Sequence, residues 1–251
     1  MFEVQLVEHC NLNCAGCSHF SPVAKPEFVD VEEFRRDFER MGEIFSHESK
    51  AVYLLGGEPL LHPELNTLLK IVRSNFTSGQ IVLVTNGILL LSLGEDFWRL
   101  CHDKNIEISV THYPIKLNTE GIFRTAEKFG VKVELRSEDE KVLFRKDPID
   151  LTGSQNIQES FALCMKHCST LKHGKFYNCS FTPHVHHFNE AFGQNVAVTK
   201  DDYIDIYDEV SKDFILDFMC KPIPACRYCN MKGVNFFTNW HISKREMSEW
   251  V

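Results

Sequence analysis

The sequence predicts an α/β fold in which successive βα units form a parallel sheet or barrel, followed by a smaller α+β region. Two observations predict the barrel part: from residue 1 to about 137, short apolar runs alternate with amphipathic stretches, and turn residues separate them. A third observation, that six of the ten cysteines follow residue 161, indicates a separate domain. We therefore expect domains at residues 1–160 and 161–251.

The elements of the first domain follow in order. Strands are predicted by apolar runs at residues 2–7, 51–55, 80–84, 106–110 and 131–135, and helices by helical spacing at 31–45, 63–76, 94–103 and 119–129. Asp30 and Glu33 form a capping-box-like pair at the first helix, and Gly130 ends the last one. Residues 137–160 lack a clear period, carry a charge run at 138–141, and are expected to form a long connection.

The composition indicates which classes of partner the protein does not bind and in which cellular compartment it is expected. A formal net charge of -8 without a basic stripe argues against nucleic acid as the partner. No apolar run approaches the ~20 residues of a membrane span, so no membrane partner is expected. The start of the chain lacks the layout of a signal peptide. We expect a cytoplasmic protein.

Nine of the ten cysteines fall into three groups, at positions 10/14/17, 164/168/179 and 220/226/229. In a reducing compartment such groups are more often metal ligands than disulfides. Cys101 stands alone in a helical pattern and is expected to be a small core residue.

The first group, Cys10, Cys14 and Cys17, has the spacing C-x3-C-x2-C and follows the first predicted strand. Three thiolates on one short loop can hold three irons of a 4Fe-4S cluster, which leaves the fourth iron open to a small molecule. A zinc knuckle or three unrelated buried thiols is the alternative, although zinc normally takes four protein ligands.

This spacing resembles that of the radical S-adenosylmethionine (radical SAM) superfamily. The resemblance implies a partial (β/α)6 TIM-like barrel, with a 4Fe-4S cluster on Cys10, Cys14 and Cys17. It implies that S-adenosylmethionine binds the open iron and is cleaved reductively to a 5′-deoxyadenosyl radical, with a flavodoxin- or ferredoxin-type electron donor. The residue before the third cysteine is usually aromatic in the superfamily, whereas here it is Gly16.

Further residues at predicted strand ends match the superfamily, and the ligands of a parallel barrel lie at the carboxyl ends of its strands. Residues 56–58 resemble the glycine-glycine-glutamate motif that binds the methionine ammonium, and residues 85–87 resemble a strand-end TNG. The resemblance implies these cofactor-binding residues: Gly56, Gly57, Glu58, Asn86, Ser109 and Arg136. An ordinary turn or polar surface residue is the alternative at each position.

The later cysteines predict a second metal site. Residues 169–179 are expected to form a hairpin that turns near residues 173–174, which would place Cys168 opposite Cys179 with Cβ atoms ~5 Å apart. Cys226 and Cys229 form a C-x2-C pair that would complete four thiolates. A structural zinc ion is the alternative occupant.

This second pattern resembles the twitch domain, a shortened SPASM domain in which a G-x4-C hairpin and a later C-x2-C hold an auxiliary 4Fe-4S cluster. Residues 174–179 fit G-x4-C. The hairpin geometry favours Cys168 as the first ligand, whereas the family spacing favours Cys164. We take Cys168 as the ligand and Cys164 as its alternate.

The sequence also predicts the local structure of two further segments. His184, His186 and His187 follow the hairpin without an accompanying carboxylate pattern, so a loop facing substrate or solvent is expected rather than a metal site. Residues 243–250 are expected to form a short helix that Ser243 caps, with Glu246 three residues later.

Three functions follow from these patterns. The first is a radical SAM enzyme that abstracts a hydrogen atom from a small hydroxylated or sugar-like metabolite, with the auxiliary cluster accepting an electron, similar to 2-deoxy-scyllo-inosamine dehydrogenase-type enzymes. The second is a maturase or activating enzyme that modifies a peptide or protein. The third is a non-catalytic zinc-binding interaction module.

Overall fold

The computed structural model describes residues 1–136, 143–145, 148–164, 168–232 and 237–251. The chain divides into two compact units, one of residues 1–7 and 28–142 and one of residues 8–27 and 143–251. Residues 8–27, expected in the first domain, therefore belong to the second unit. The predicted charge run at 138–141 lies outside the described residues.

The first unit contains five parallel strands, which confirms the predicted βα pattern. They lie in the order β5-β4-β3-β2-β1, with parallel pairing throughout. Their ranges are β1 Phe2–Gln5, β2 Glu48–Leu55, β3 Ser78–Thr85, β4 Ile106–Thr111 and β5 Val133–Arg136.

Four helices connect these strands: α1 Val31–Ile44, α2 Leu65–Asn75, α3 Glu95–Asp103 and α4 Thr119–Phe129. The side chain of Asp30 accepts hydrogen bonds from the backbone N–H groups of Glu32 and Glu33, at 3.1 and 2.8 Å, so the predicted cap of α1 is confirmed. Gly130 ends α4 in the left-handed conformation, with φ 67°. Helix α2 begins at Leu65, two residues later than predicted, and residues 59–61 form a separate 3-10 turn that starts on a proline.

The two faces of this sheet differ in polarity. One face is apolar and packs on helices: the ring of Phe2 lies 6.3 Å from that of Phe38 in α1 and 5.6 Å from that of Phe76, which follows α2. The other face carries the polar side chains of Gln5 and Ser109. The register places them in one line across the strands, because Gln5 pairs with Leu55 and Val84 pairs with Ser109. A sheet covered by helices on one face can bind ligands with the other.

The second unit is a mixture of short elements. They are β6 Leu143–Arg145, α5 Ile157–Leu163, β7 Thr170–Lys172, β8 Lys175–Tyr177, α6 Val185–Phe192, β9 Tyr203–Asp205, α7 Lys212–Met219 and β10 Phe237–Asn239. Strands β7, β8 and β9 pair antiparallel in chain order, and β6 pairs antiparallel with β10. The core of the unit includes an aromatic cluster of Phe20, Phe181, Phe188 and Trp250.

The predicted hairpin is confirmed. Thr170 pairs with Tyr177 and Lys172 with Lys175, so the turn consists of His173 and Gly174, as predicted. Both turn residues have positive φ, 49° and 66°, as a two-residue type I′ turn requires. Continued outward, this register points Cys168 toward Cys179, although the paired residues end at Thr170 and Tyr177.

Two local expectations were wrong. Residues 243–250 are not a helix; only residues 247–249 form a 3-10 turn, because Arg245 has φ 60° and Glu249, not Glu246, accepts the N–H of Lys244. The segment around His184 is not a loop, because residues 185–192 form α6, which ends at Gly193. Within the described residues, no helix combines the length and the apolar character that crossing a bilayer requires.

Candidate functional site

The loop that carries Cys10, Cys14 and Cys17 lies in the second unit. Cys14 is buried, while Cys10 and Cys17 are partly exposed. The chain turns tightly at Asn13 and Gly16, with φ 54° and 67°. All ten cysteines lie in the described part of the chain and none is disulfide-bonded. A short, tightly turned loop with three thiols fits the donor set of an iron–sulfur cluster with one open iron.

The segment that follows β10 holds this loop through its backbone. The N–H of Ala15 donates to the carbonyl of His241 at 3.0 Å, and the N–H of Ser243 donates to the carbonyl of Asn13 at 2.8 Å. These bonds surround an antiparallel bridge between Cys14 and Ile242. The cysteine loop is therefore fixed from the carboxyl-terminal side of the chain.

Two tryptophans also donate hydrogen bonds to the loop. The indole Nε1 of Trp240 lies 3.0 Å from the Sγ of Cys14. The indole Nε1 of Trp250 lies 2.9 Å from the carbonyl oxygen of Cys17. Trp240 therefore donates to a sulfur atom, and Trp250 donates to a backbone carbonyl.

In the first unit, residues 56–58 follow β2. A Cβ atom at Gly56 would lie 2.5 Å from the carbonyl oxygen of Val7, and φ is 155°, so this position requires glycine. The N–H of Gly57 donates to the same carbonyl at 2.6 Å. The glycines therefore bring the end of β2 against the chain that follows β1.

Glu58 is fully buried and its carboxylate joins two strand ends. One oxygen, Oε1, accepts from the hydroxyl of Thr85 at 2.6 Å and from the N–H of Leu60 at 3.1 Å. The other, Oε2, accepts from the N–H of Asn86 at 2.9 Å. Burial raises the pKa of Glu58, and these hydrogen bonds offset only part of that effect. Glu58 thus shapes the ends of β2 and β3 with both of its oxygens.

Asn86 and Gly87 form the turn that follows β3. The side-chain oxygen of Asn86 accepts from the N–H of Ile88 at 3.0 Å, which is a local turn bond. Gly87 has φ 80°, and a Cβ there would lie 2.9 Å from a methyl group of Val110. The predicted TNG segment therefore forms a tight turn at the end of β3.

Three buried polar atoms on the open face of the sheet have no hydrogen-bond partner within the part of the chain that the structure describes. The hydroxyl of Ser109 and both amide atoms of Gln5 are buried, and no hydrogen bond to them is found among the described residues. Arg136 lies on the same face, with its guanidinium 5.9 Å from the centre of the Tyr53 ring. Because unpaired buried polar atoms are costly, these groups suit a polar ligand. Gln5 was missed by the sequence analysis, although its place in an alternating strand was a signal.

The predicted auxiliary cysteines lie in the second unit. Burial raises the pKa of Cys179 to about 11, with smaller contributions from the nearby thiols of Cys164 and Cys226. Burial likewise raises the pKa of Cys226, and Cys164 again contributes. The thiol of Cys164 is therefore within electrostatic range of those of Cys179 and Cys226, although among the described residues only Glu8, His184 and His187 bring three ligand atoms within 4.8 Å of one another. Cys229 closes the C-x2-C turn, its N–H donating to the carbonyl of Cys226 at 3.2 Å; Cys168 is partly exposed.

A buried cluster that the sequence did not predict lies beside the cysteine loop. The Oε2 atom of Glu8 lies 3.0 Å from Nδ1 of His184 and 2.8 Å from Nε2 of His187, and its Oε1 atom lies 3.0 Å from Nζ of Lys172. Burial raises the pKa of Glu8, but the hydrogen bonds from both histidines and the lysine charge outweigh it, so this pKa lies far below its usual range.

Glu8, His184 and His187 offer three ligand atoms within 4.8 Å of one another, as a divalent metal would require. However, the ammonium of Lys172 already balances the carboxylate and lies 3.4 Å from Nδ1 of His184. A metal would have to displace this buried cation. We therefore assign these four side chains to a structural network that fixes the start of the cysteine loop.

Residues 4–128 match the family model described as the radical SAM superfamily. The chain contains a radical SAM domain. The match contains the cysteine loop, both glycines of residues 56–58, and the strand-end segment after β3. This match supports an enzyme, as the first two hypotheses expect, over the non-catalytic zinc module.

Two solved structures share the fold along most of the chain. BtrN in complex with AdoMet and 2-DOIA superposes with a TM-score of 0.59 at 18% identity, covering 92% of this chain and 93% of that chain. Native anSMEcpe with bound AdoMet gives a TM-score of 0.52 at 12% identity, covering 94% and 84%. At these identities the likeness concerns the fold.

Two curated relatives match a shorter region. GTP 3′,8-cyclase of Desulforamulus reducens is 27% identical over 96 residues, and that of Crocosphaera subtropica is 29% identical over 110 residues. The matches cover 37% and 38% of this chain and 29% of each relative's own length.

Proposed function

We propose that this radical SAM enzyme abstracts a hydrogen atom from a small hydroxylated or sugar-like metabolite and passes the resulting electron to an auxiliary 4Fe-4S cluster. The observation that carries the proposal is the hairpin of β7 and β8, whose register points Cys168 toward Cys179, together with the hydrogen-bonded Cys226–Cys229 turn in the same unit. A cluster there gives the enzyme an internal electron acceptor. A flavodoxin- or ferredoxin-type protein would supply the first electron.

The first cluster is assigned to Cys10, Cys14 and Cys17. When bound, it and S-adenosylmethionine would supply the 5′-deoxyadenosyl radical, which would take a hydrogen atom from a carbinol C–H bond; a proton and one electron would then leave as the carbinol becomes a carbonyl. The protein's own part is to hold and orient these groups. The backbone of residues 56–58 would contact the methionine ammonium, with its shape maintained by the buried Glu58.

Asn86, Ser109 and Arg136 complete the proposed S-adenosylmethionine site. The unpaired hydroxyl of Ser109 is suited to a ribose hydroxyl, and the exposed guanidinium of Arg136 to a carboxylate. The complex of BtrN with AdoMet and 2-DOIA supports a cofactor plus a small-molecule substrate on this fold. The buried amide of Gln5 adds a donor and an acceptor for a substrate with hydroxyl groups.

We assign the auxiliary cluster to Cys168, Cys179, Cys226 and Cys229, with Cys164 as the alternate to Cys168. The electrostatic influence of the Cys164 thiol on Cys179 and Cys226 keeps Cys164 as the alternate. The hairpin register supports Cys168. Four thiolates also suit zinc, so the occupant must be measured directly.

The test is anaerobic iron and sulfide quantification with Mössbauer spectroscopy on reconstituted protein. Wild type is compared with the variant that combines Cys10→Ala, Cys14→Ala and Cys17→Ala. A fall from about eight irons to about four indicates two 4Fe-4S clusters. A fall from about four to none would assign the later thiols to zinc or to structure, and the proposed electron acceptor would be lost.

A further inference from the structure

The indole of Trp240 contacts the cysteine loop in a way that no other described tryptophan does. Its Nε1–H points at the Sγ of Cys14, 3.0 Å away, across 226 residues of sequence. Trp250 provides an internal comparison, because its Nε1–H bonds the carbonyl oxygen of Cys17 at 2.9 Å. The same kind of donor therefore meets a thiol in one case and a peptide group in the other.

The position of Trp240 is held by its backbone neighbours. His241 accepts from the N–H of Ala15 and Ser243 donates to the carbonyl of Asn13, on either side of the bridge between Cys14 and Ile242. The indole is thus anchored to the two residues that flank the sulfur it contacts. A fixed donor does not need to be reoriented when the charge on its acceptor changes.

Hydrogen bonds to cysteine sulfurs are one of the factors that set the reduction potential of an iron–sulfur cluster. A donor stabilises the state with more negative charge, which is the reduced cluster, because the sulfur carries part of the added electron. The donor on Cys14 therefore acts on the potential, whereas a donor on a carbonyl acts mainly on loop stability.

We propose that Trp240 is a positioning residue that raises the reduction potential of the cluster held by Cys10, Cys14 and Cys17 through its hydrogen bond to Cys14. This inference rests on the cluster assignment of the proposed function. According to this inference, the carboxyl-terminal segment influences how readily the electron donor reduces the first cluster.

The experiment is a redox titration of the reconstituted holoenzyme, monitored by electron paramagnetic resonance. Trp240→Phe keeps an aromatic ring and removes the N–H donor; Trp250→Phe is the matched control. A parallel series that also carries Cys226→Ala and Cys229→Ala removes the signal assigned to the second cluster. We expect the potential of the first cluster to move to a more negative value in Trp240→Phe and to stay unchanged in Trp250→Phe.

An unchanged potential in Trp240→Phe, or an equal shift in both variants, would overturn the inference. If Trp240→Phe assembles no first cluster, Trp240→His is measured, because its ring keeps an N–H: restored assembly supports the donor role, and continued loss overturns it. A wild-type protein that itself binds no iron at Cys10, Cys14 and Cys17 would instead contradict the proposed function, so the two failures are distinguishable.

Discussion

The carboxylate of Glu8 and the ammonium of Lys172 form an ion pair at 3.0 Å in which both side chains are more than nine-tenths buried. The carboxylate also contacts His184 and His187, so it has partners on both oxygens. Glu8 lies two residues before Cys10. The ion pair therefore connects strand β7 to the start of the cysteine loop.

Replacing Lys172 by methionine is expected to lower the free energy of unfolding by about 3–5 kcal/mol, because it leaves a buried carboxylate without its balancing charge. Chemical denaturation followed by circular dichroism measures the change. Lys221→Met is the control, because Lys221 pairs with Asp217 on the exposed face of α7, where such a pair contributes up to about 1 kcal/mol. Equal losses in the two variants would contradict the structural role of the pair.

His184 gives the stability a defined dependence on pH. Burial lowers its pKa to about 4, more than the hydrogen bond to Glu8 can offset, whereas an unfolded histidine titrates near about 6.5. Between these values the unfolded chain binds a proton that the folded chain does not, so wild-type stability falls as the pH falls through this window.

We therefore expect the stability difference between wild type and His184→Asn to narrow by about 1 kcal/mol for each pH unit between about 6.5 and 4. Urea denaturation of both proteins across this range measures the difference, in which the acid sensitivity common to both cancels. Stability curves that run parallel through the window would show that His184 is not buried in its neutral form.

The local features of the fold were predictable because they depend on neighbouring residues. Apolar periodicity located all five strands of the first unit, and the cap at Asp30 and the turn at residues 173–174 follow from residues within a few positions. The network of Glu8 was not predictable in this way. Its partner His184 is 176 residues away, and nothing in the local pattern joins the two.

The candidate site likewise contains features that could be predicted from the sequence and features that could not. The cysteine spacing and the glycines at 56 and 57 carry their chemistry in short motifs, so they were recognised from the sequence. Glu58 was expected among the cofactor-binding residues, and the structure adds that its carboxylate oxygens accept hydrogen bonds from Thr85 and Asn86. Such a choice of partner depends on how β2 and β3 are packed, which a single sequence does not specify.

Gln5 offers a test of the open face of the sheet. Gln5→Met keeps the length of the side chain and removes an amide that is buried without a partner among the described residues, so the protein without substrate should become more stable by about 1–3 kcal/mol. Thermal and urea denaturation measure the gain. Gln80→Met, on an exposed position of β3, is the control; a loss of stability in Gln5→Met would mean that the amide has a structural partner.

The ligand set of the auxiliary site can be decided by two single variants, Cys164→Ala and Cys168→Ala. Because the hairpin register points Cys168 toward Cys179, we expect Cys168→Ala to lose or degrade the second cluster and Cys164→Ala to keep it. The measurement is iron content with Mössbauer spectra of each variant after identical reconstitution. Cys220→Ala, at an exposed position, controls for the loss of a thiol alone. The reverse result, with the cluster lost only in Cys164→Ala, would show that Cys164 is the ligand and that the hairpin register does not determine it.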